Sequence, residues 1–99
     1  MAETEVGYAG EGSLGHPLDT KYRFVARSIE HGTEHSGHDA ILFCAHDAAL
    51  PRALLAYREE AVRLGASARQ LAGIDRLIED VRLWQARHPA KVRVADTGE

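Results

Sequence analysis

Four histidines fall within sixteen residues of this sequence, and they are the side chains that come nearest to a chemical site. They are His31, His35, His38 and His46. Imidazole is a ligand that zinc prefers, and a structural zinc site needs four ligands held in a tetrahedron. The spacing is neither that of a zinc finger nor H-E-x-x-H, and glycines within the segment leave it little preorganised. The four histidines are a candidate metal site, but the polar loop provides no visible second shell of residues around them, so a solvated histidine-rich loop is favoured.

A second candidate is the single cysteine, Cys44, which lies two residues before His46 and three before Asp47. A thiol beside an imidazole can act as a nucleophile with its base, but no glycine-rich oxyanion turn or orienting carboxylate accompanies the pair. A buried, inert thiol and a helix-capping aspartate explain the same residues. The sequence therefore favours a protein with no catalytic residue and no cofactor. A zinc-binding module is the first alternative, and a small Cys/His enzyme is the second.

Composition narrows the classes of partner. Fifteen acidic and twelve basic residues give a net charge of −3 without a block of either sign, which argues against a nucleic-acid binder. One cysteine allows no internal disulfide, so nothing requires an oxidising compartment. The longest apolar stretch, Ala40 to Ala45, is far shorter than the roughly 20 residues that span a bilayer. We expect a cytoplasmic protein that binds neither nucleic acid nor membrane.

Residues 21–29 and 40–46 predict a short antiparallel β-hairpin. In the first segment Tyr22, Phe24 and Ala26 alternate with basic residues, as in a strand, although a helical face fits the same segment. The apolar run 40–46 has the length and composition of a strand and needs a pairing partner, so a strand is preferred at 21–29. The alternation Val92-Arg93-Val94 could add a third short strand.

Two amphipathic helices are predicted to follow, from Asp47 to Leu64 and from Ser67 to Arg87. Gly65 is placed to end the first helix, Ser67 with Gln70 forms a capping box for the second, and Pro89 stops it. The short link forces the helices to run antiparallel. The side chains predicted to face one another are Leu50, Leu54, Tyr57, Ala61 and Leu64 with Leu71, Ile74, Ile78 and Val81.

These elements predict an α+β fold in which a short β-hairpin, or a sheet of two or three strands, packs on a C-terminal antiparallel helical hairpin. Residues 20–96 would form this single domain. Residues 1–19 are glycine-rich and are expected to be a flexible N-terminal arm, with residues 97–99 as a tail.

So small a core cannot hide every apolar side chain that the sequence carries. The residues expected to remain uncovered, and therefore to form an interface, are Trp84, Leu77, Leu83, Ile41 and Phe43. We expect them to contact a protein partner or a second copy of the chain in a dimer.

Several segments resemble small, uncharacterised proteins encoded by bacteriophages and prophages, many of them in high-GC bacteria. The segments are Phe43-Cys44-Ala45-His46-Asp47, Leu54-Leu55-Ala56-Tyr57, Trp84-Gln85-Ala86-Arg87-His88-Pro89 and Val94-Ala95-Asp96. In such proteins an apolar strand ending in Ala-x-Asp leads into a Leu/Tyr-bearing helix, and a second helix closes with Trp-Gln and a proline. The resemblance covers roughly residues 40 to 96. It implies an accessory phage protein in the host cytoplasm that acts by protein binding, and it implies no enzymatic activity.

Overall fold

The structure, a computed structural model, describes residues 14–95 of the 99-residue chain. Most of the predicted arm, residues 1–13, and the predicted tail, 97–99, lie outside the described residues. Contacts divide the described chain into two compact units, residues 14–42 and Phe43–Ala95. An antiparallel two-stranded sheet lies in the first unit and a helical hairpin in the second, so the predicted α+β class is confirmed.

The first unit contains a short β-hairpin. Strand β1 (Val25–Arg27) pairs with β2 (Glu34–Ser36), and an ion pair of 2.7 Å joins Arg27 to Glu34 directly across the ladder. The chain reverses between them in a tight turn, where Ser28 accepts the Gly32 N–H and donates its own N–H to the Thr33 carbonyl. Gly32 has a φ of 73°, a conformation that costs a glycine little.

The prediction that residues 21–29 pair with residues 40–46 is wrong about the second of these segments. Residues 21–29 do contain a strand, but it pairs with Glu34–Ser36, inside what was predicted to be the connecting loop. A tight turn at Gly32 closes the nearer pair at a lower entropic cost than the longer loop would require. The apolar run 40–46 forms no strand, and its Leu42 N–H is bound by the Asp19 carboxylate.

The second unit is built from helices α1 (Leu50–Arg63) and α2 (Ala68–Arg87), followed by a 3-10 turn at Pro89–Lys91. The predicted link is confirmed in detail. Gly65 adopts a φ of 88°, and the Ser67 hydroxyl accepts the Gln70 N–H while the Gln70 side chain accepts the Ser67 N–H. This capping box satisfies two amides that the first turn of α2 would leave free.

The start of α1 differs slightly from the prediction. The helix begins at Leu50, with Pro51 in its first turn, and its N-cap is Ala49 rather than Asp47. Asp47 is buried, and its carboxylate accepts the Ala49 N–H at 2.9 Å. The aspartate therefore secures the turn that enters the helix instead of capping the helix itself.

The described core is small: its buried apolar side chains are Leu50, Ile78 and Val81. Leu54, Ala61, Leu71 and Ile74 are half-buried, as a helix interface open to solvent requires. The prediction that Tyr57 and Leu64 pack between the helices is wrong, because 64% and 70% of these residues remain exposed. An ion pair of 2.5 Å between Arg58 and Asp75 links the two helices.

At the far end of α2, Gln85 fixes the segment that enters α1. Its Nε2 donates to the carbonyl oxygens of Ala45 and Asp47 at 2.9 and 2.8 Å. Arg93 joins the same segment in a single parallel bridge with Asp47, where the third strand was predicted to form. Among the described residues, no helix has both the length and the apolar content needed to cross a bilayer.

The substitution of glutamate for Gln85 or for Gln70 should affect the free energy of unfolding very differently, because the Gln85 amide donates hydrogen bonds and the Gln70 amide accepts one. In Gln85→Glu two carbonyl oxygens lose their donor and meet a carboxylate, so we expect the free energy of unfolding to fall by about 2 kcal/mol or more. Gln70→Glu keeps the acceptor that the capping box uses and should change it by less than about 0.5 kcal/mol.

Urea unfolding followed by circular dichroism measures both variants. Similar losses in the two, or no loss in Gln85→Glu, would contradict the assigned hydrogen bonds.

Candidate functional site

The structure does not gather the four candidate metal ligands into a site. In the described part of the chain, no group of three or more His, Cys, Asp or Glu side chains is placed to hold a metal ion. His31 is exposed, with its Nε2 3.7 Å from the Glu30 carboxylate. His38 is half-buried in the first unit, whereas His46 belongs to the second. Among the described residues, these histidines therefore do not form a set of metal ligands.

His35 instead takes part in a local group of hydrogen bonds around the Asp39 carboxylate. Its Nδ1 lies 2.8 Å from Asp39 Oδ2, and the other carboxylate oxygen of Asp39 accepts the Ser36 N–H at 2.9 Å. The Ser36 N–H, and then the His35 ring, hold the pKa of Asp39 below its ordinary 3.8. This carboxylate fixes the turn that follows β2.

The candidate nucleophile and its neighbours lie in the turn that enters α1. Cys44 and His46 are half-buried, and the Cys44 carbonyl accepts the Asp47 N–H at 3.1 Å. Since 40–46 is not a strand, the alternation that would have placed Cys44 and His46 on one face does not apply. The Asp47 carboxylate accepts the Ala49 N–H, a hydrogen bond within its own turn.

The described carboxylate that accepts the most backbone N–H groups is that of Asp19, which the sequence did not mark as a candidate site. Asp19 is buried: its Oδ1 accepts the N–H groups of Lys21 and Tyr22, and its Oδ2 accepts that of Leu42, all at 2.8 to 2.9 Å. The Asp19 N–H donates to the Gly37 carbonyl. An Asx turn, in which an aspartate accepts amides two and three residues ahead, was a signal available in the sequence. The distant Leu42 contact was not.

Asp19 also forms part of the wall of a groove of about 800 Å³ in the first unit. Its other lining residues are Pro17, Thr20, Lys21, Tyr22, Arg23, Phe24, Val25, Ser36, Gly37 and His38. The Lys21 ammonium lies 5.6 Å from the centre of the Tyr22 ring. Because the carboxylate in this groove is already bound to three backbone amides, it is not free to act as a general base.

Several large apolar side chains of the helical hairpin remain exposed. We define the open face as the five residues Tyr57, Leu64, Leu77, Leu83 and Trp84. Half of Leu77 and 46% of Leu83 are exposed, and Trp84 is half-buried. Tyr57 and Leu64 line a groove of about 320 Å³ together with Gln70, seven residues before Leu77 on the same side of α2. This groove therefore extends from α1 onto the start of α2.

Trp84 is held in place within this face. Its ring stacks on His88 with centroids 4.1 Å apart, and the His88 Nδ1 lies 2.8 Å from the Trp84 carbonyl oxygen. Because a carbonyl only accepts, Nδ1 must carry the proton. An aromatic side chain held in one orientation loses little entropy when a partner covers it.

The remaining predicted interface residues, Ile41 and Phe43, are also exposed. Ile41 belongs to the first unit and Phe43 to the second.

No family model, curated protein or solved structure matches this sequence.

The backbone hydrogen bonds that lower the pKa of Asp19 are expected to make the first unit sensitive to acid. The amides of Tyr22, Leu42 and Lys21 favour the ionised carboxylate and hold its pKa below the ordinary 3.8. A depressed carboxyl pKa contributes stability that is present above the unfolded value and is lost as the pH falls through the folded value. We therefore expect the Asp19 carboxyl to titrate below pH 3.8 in NMR spectra, with the Tyr22 and Leu42 amide signals following the same midpoint.

In Asp19→Asn the two amide signals should lose that midpoint, whereas Glu79→Gln on the exposed surface of α2 should leave it unchanged. A titration of Asp19 at or above pH 3.8 would show that these hydrogen bonds do not form.

Proposed function

We propose that this chain is a small, non-enzymatic accessory protein that acts by binding another protein through the open face. The observation that carries the proposal is an imbalance in burial. Three apolar side chains are buried in the described core, while large apolar side chains on both helices remain uncovered. Covering them is the largest favourable change that the hairpin has left to make.

The composition of the open face supports a protein partner. Burial of apolar surface contributes about 25 cal/mol per Å², so covering a side chain such as Leu77 adds on the order of 1 kcal/mol to binding. Tyrosine and tryptophan are enriched among the residues that dominate protein interfaces. The net charge of −3 gives no comparable support for a nucleic-acid partner.

The use of the carboxylates supports a role without catalysis. Asp19, Asp39 and Asp47 each accept backbone N–H groups, and each therefore holds a turn. A catalytic carboxylate must instead face substrate and exchange a proton with it. The resemblance of residues 40 to 96 to small phage and prophage proteins agrees with an accessory role in a host cytoplasm.

A photo-crosslinking residue at position 77 tests this function. With p-benzoylphenylalanine in place of Leu77, we expect a discrete crosslinked product in bacterial cells or with the purified chain. Excess unlabelled chain should compete for its formation, because the open face lies against a partner. The matched control carries the crosslinker in place of Glu59, an exposed polar residue of α1 outside the open face.

Mass spectrometry identifies the attachment point. A product specific to position 77 supports the proposal. Identical patterns from both positions, or no product from either, would contradict it.

A further inference from the structure

The residues on the outward side of α2 are complementary to the same residues of a second, antiparallel copy of the helix. Six residues recur there at helical spacing, on the side of the helix away from Ile78 and Val81: Ala72, Gly73, Arg76, Asp80, Leu83 and Trp84. Two small residues lie at one end of this stripe, two large apolar residues lie at the other, and two opposite charges lie between them.

The stripe is arranged symmetrically about position 78. When two identical helices pack antiparallel about a two-fold axis, a residue a given number of positions before the centre meets the partner's residue the same number of positions after it. With the axis at the level of Ile78, Arg76 falls opposite Asp80 of the second copy. Gly73 then falls opposite Leu83, and Ala72 opposite Trp84. Each pair combines opposite charges or a small residue with a large one.

The charges in this stripe are available for such pairing. Neither Arg76 nor Asp80 forms an ion pair with another residue in the described range 14–95, although Arg58, Arg63 and Asp75 on the same two helices do. Four residues apart on one helix, with the arginine first, the two have the less favourable order for pairing with each other. In the antiparallel arrangement each would meet an opposite charge, and two such pairs would form.

The sizes of the facing side chains also suit the antiparallel arrangement. A Cβ built on Gly73 meets nothing within 4 Å, so the backbone there is open to a neighbour. Leu83 is 46% exposed and projects from the same side of the helix. A large side chain resting on a glycine of the facing helix allows the two backbones to approach closely.

One juxtaposition is unfavourable: Arg69 and Arg87 would also face each other. Both lie nine residues from the centre, about 13 Å along the helix axis. Packed helices cross at an angle and diverge away from the contact, so these like charges are separated and solvated.

We propose that the partner of the α2 part of the open face, at Leu83 and Trp84, is a second copy of this chain, docked with α2 antiparallel to α2 so that Arg76 of each copy meets Asp80 of the other. This inference rests on the proposed protein-binding function and identifies its partner. A second copy is the occupant that supplies the complementary charge, the glycine and the leucine in the required order.

Charge reversal tests the pairing, with sedimentation equilibrium of the full chain from 10 to 500 µM as the measurement. The wild-type chain should form a dimer. Arg76→Asp and Asp80→Arg should each weaken dimerisation at least about tenfold, because each places like charges together twice. An equimolar mixture of the two variants should recover the wild-type constant within about threefold, since both contacts again join opposite charges. Glu59→Arg, a reversal on α1, should leave the constant unchanged.

Recovery in the mixture also shows that each variant is folded, because a misfolded chain would not regain a partner. A monomeric wild-type chain at 500 µM, variants that dimerise like wild type, or a mixture that stays as weak as its components would each overturn the inference. If the product from position 77 contains a different protein and the chain is monomeric, the second-copy inference fails while the protein-binding function stands. If no product forms either, both fail.

Discussion

The contact between α1 and α2 at Leu50, Ile78 and Val81 is the interaction on which the rest of the second unit depends. With three apolar side chains buried in the described core, the hydrophobic contribution is small, and each element at the edge of the contact matters more. The link around Gly65 and Ser67 restricts the helices to an antiparallel approach. The Gln85 amide closes the other end by binding two carbonyls of the chain that enters α1. The core is therefore secured at both ends by hydrogen bonds.

Carboxylates play the corresponding part in the turns. Asp19 binds three backbone amides, including one 23 residues away, and Asp39 and Asp47 each secure a local turn. Ionised acceptors form stronger hydrogen bonds than neutral ones, so a few aspartates can order segments that bury little apolar surface. The aspartates thus hold the irregular segments of the described chain in place.

The helical hairpin could be predicted because its signals are local. A glycine that adopts positive φ, a capping box that spans four residues and a proline after the last turn act within one or two turns of the chain. The partner of β1 could not be predicted in the same way. An apolar run at 40–46 has the composition of a strand, but whether it pairs depends on which segment reaches β1 first and on what binds its amides. Here a turn at Gly32 brings Glu34–Ser36 to β1, and Asp19 takes the Leu42 N–H.

The extent of the open face could not be predicted from the sequence, for a related reason. Helical periodicity places Tyr57 and Leu64 on the same stripe as Leu50 and Leu54, yet it does not say how far the second helix covers that stripe. The half-buried Leu54 and the exposed Tyr57 mark where coverage ends. If a second copy covers the outward side of α2, unfolding is coupled to dissociation, and the stability of the fold should therefore depend on the chain concentration.

The most direct test is the thermal unfolding midpoint of the full chain at several concentrations. If dimerisation stabilises the fold, a hundredfold rise in chain concentration should raise the midpoint by several degrees, with about 5 °C as a central expectation. A midpoint that stays constant between 5 and 500 µM would contradict the claim that a second copy covers the outward side of α2.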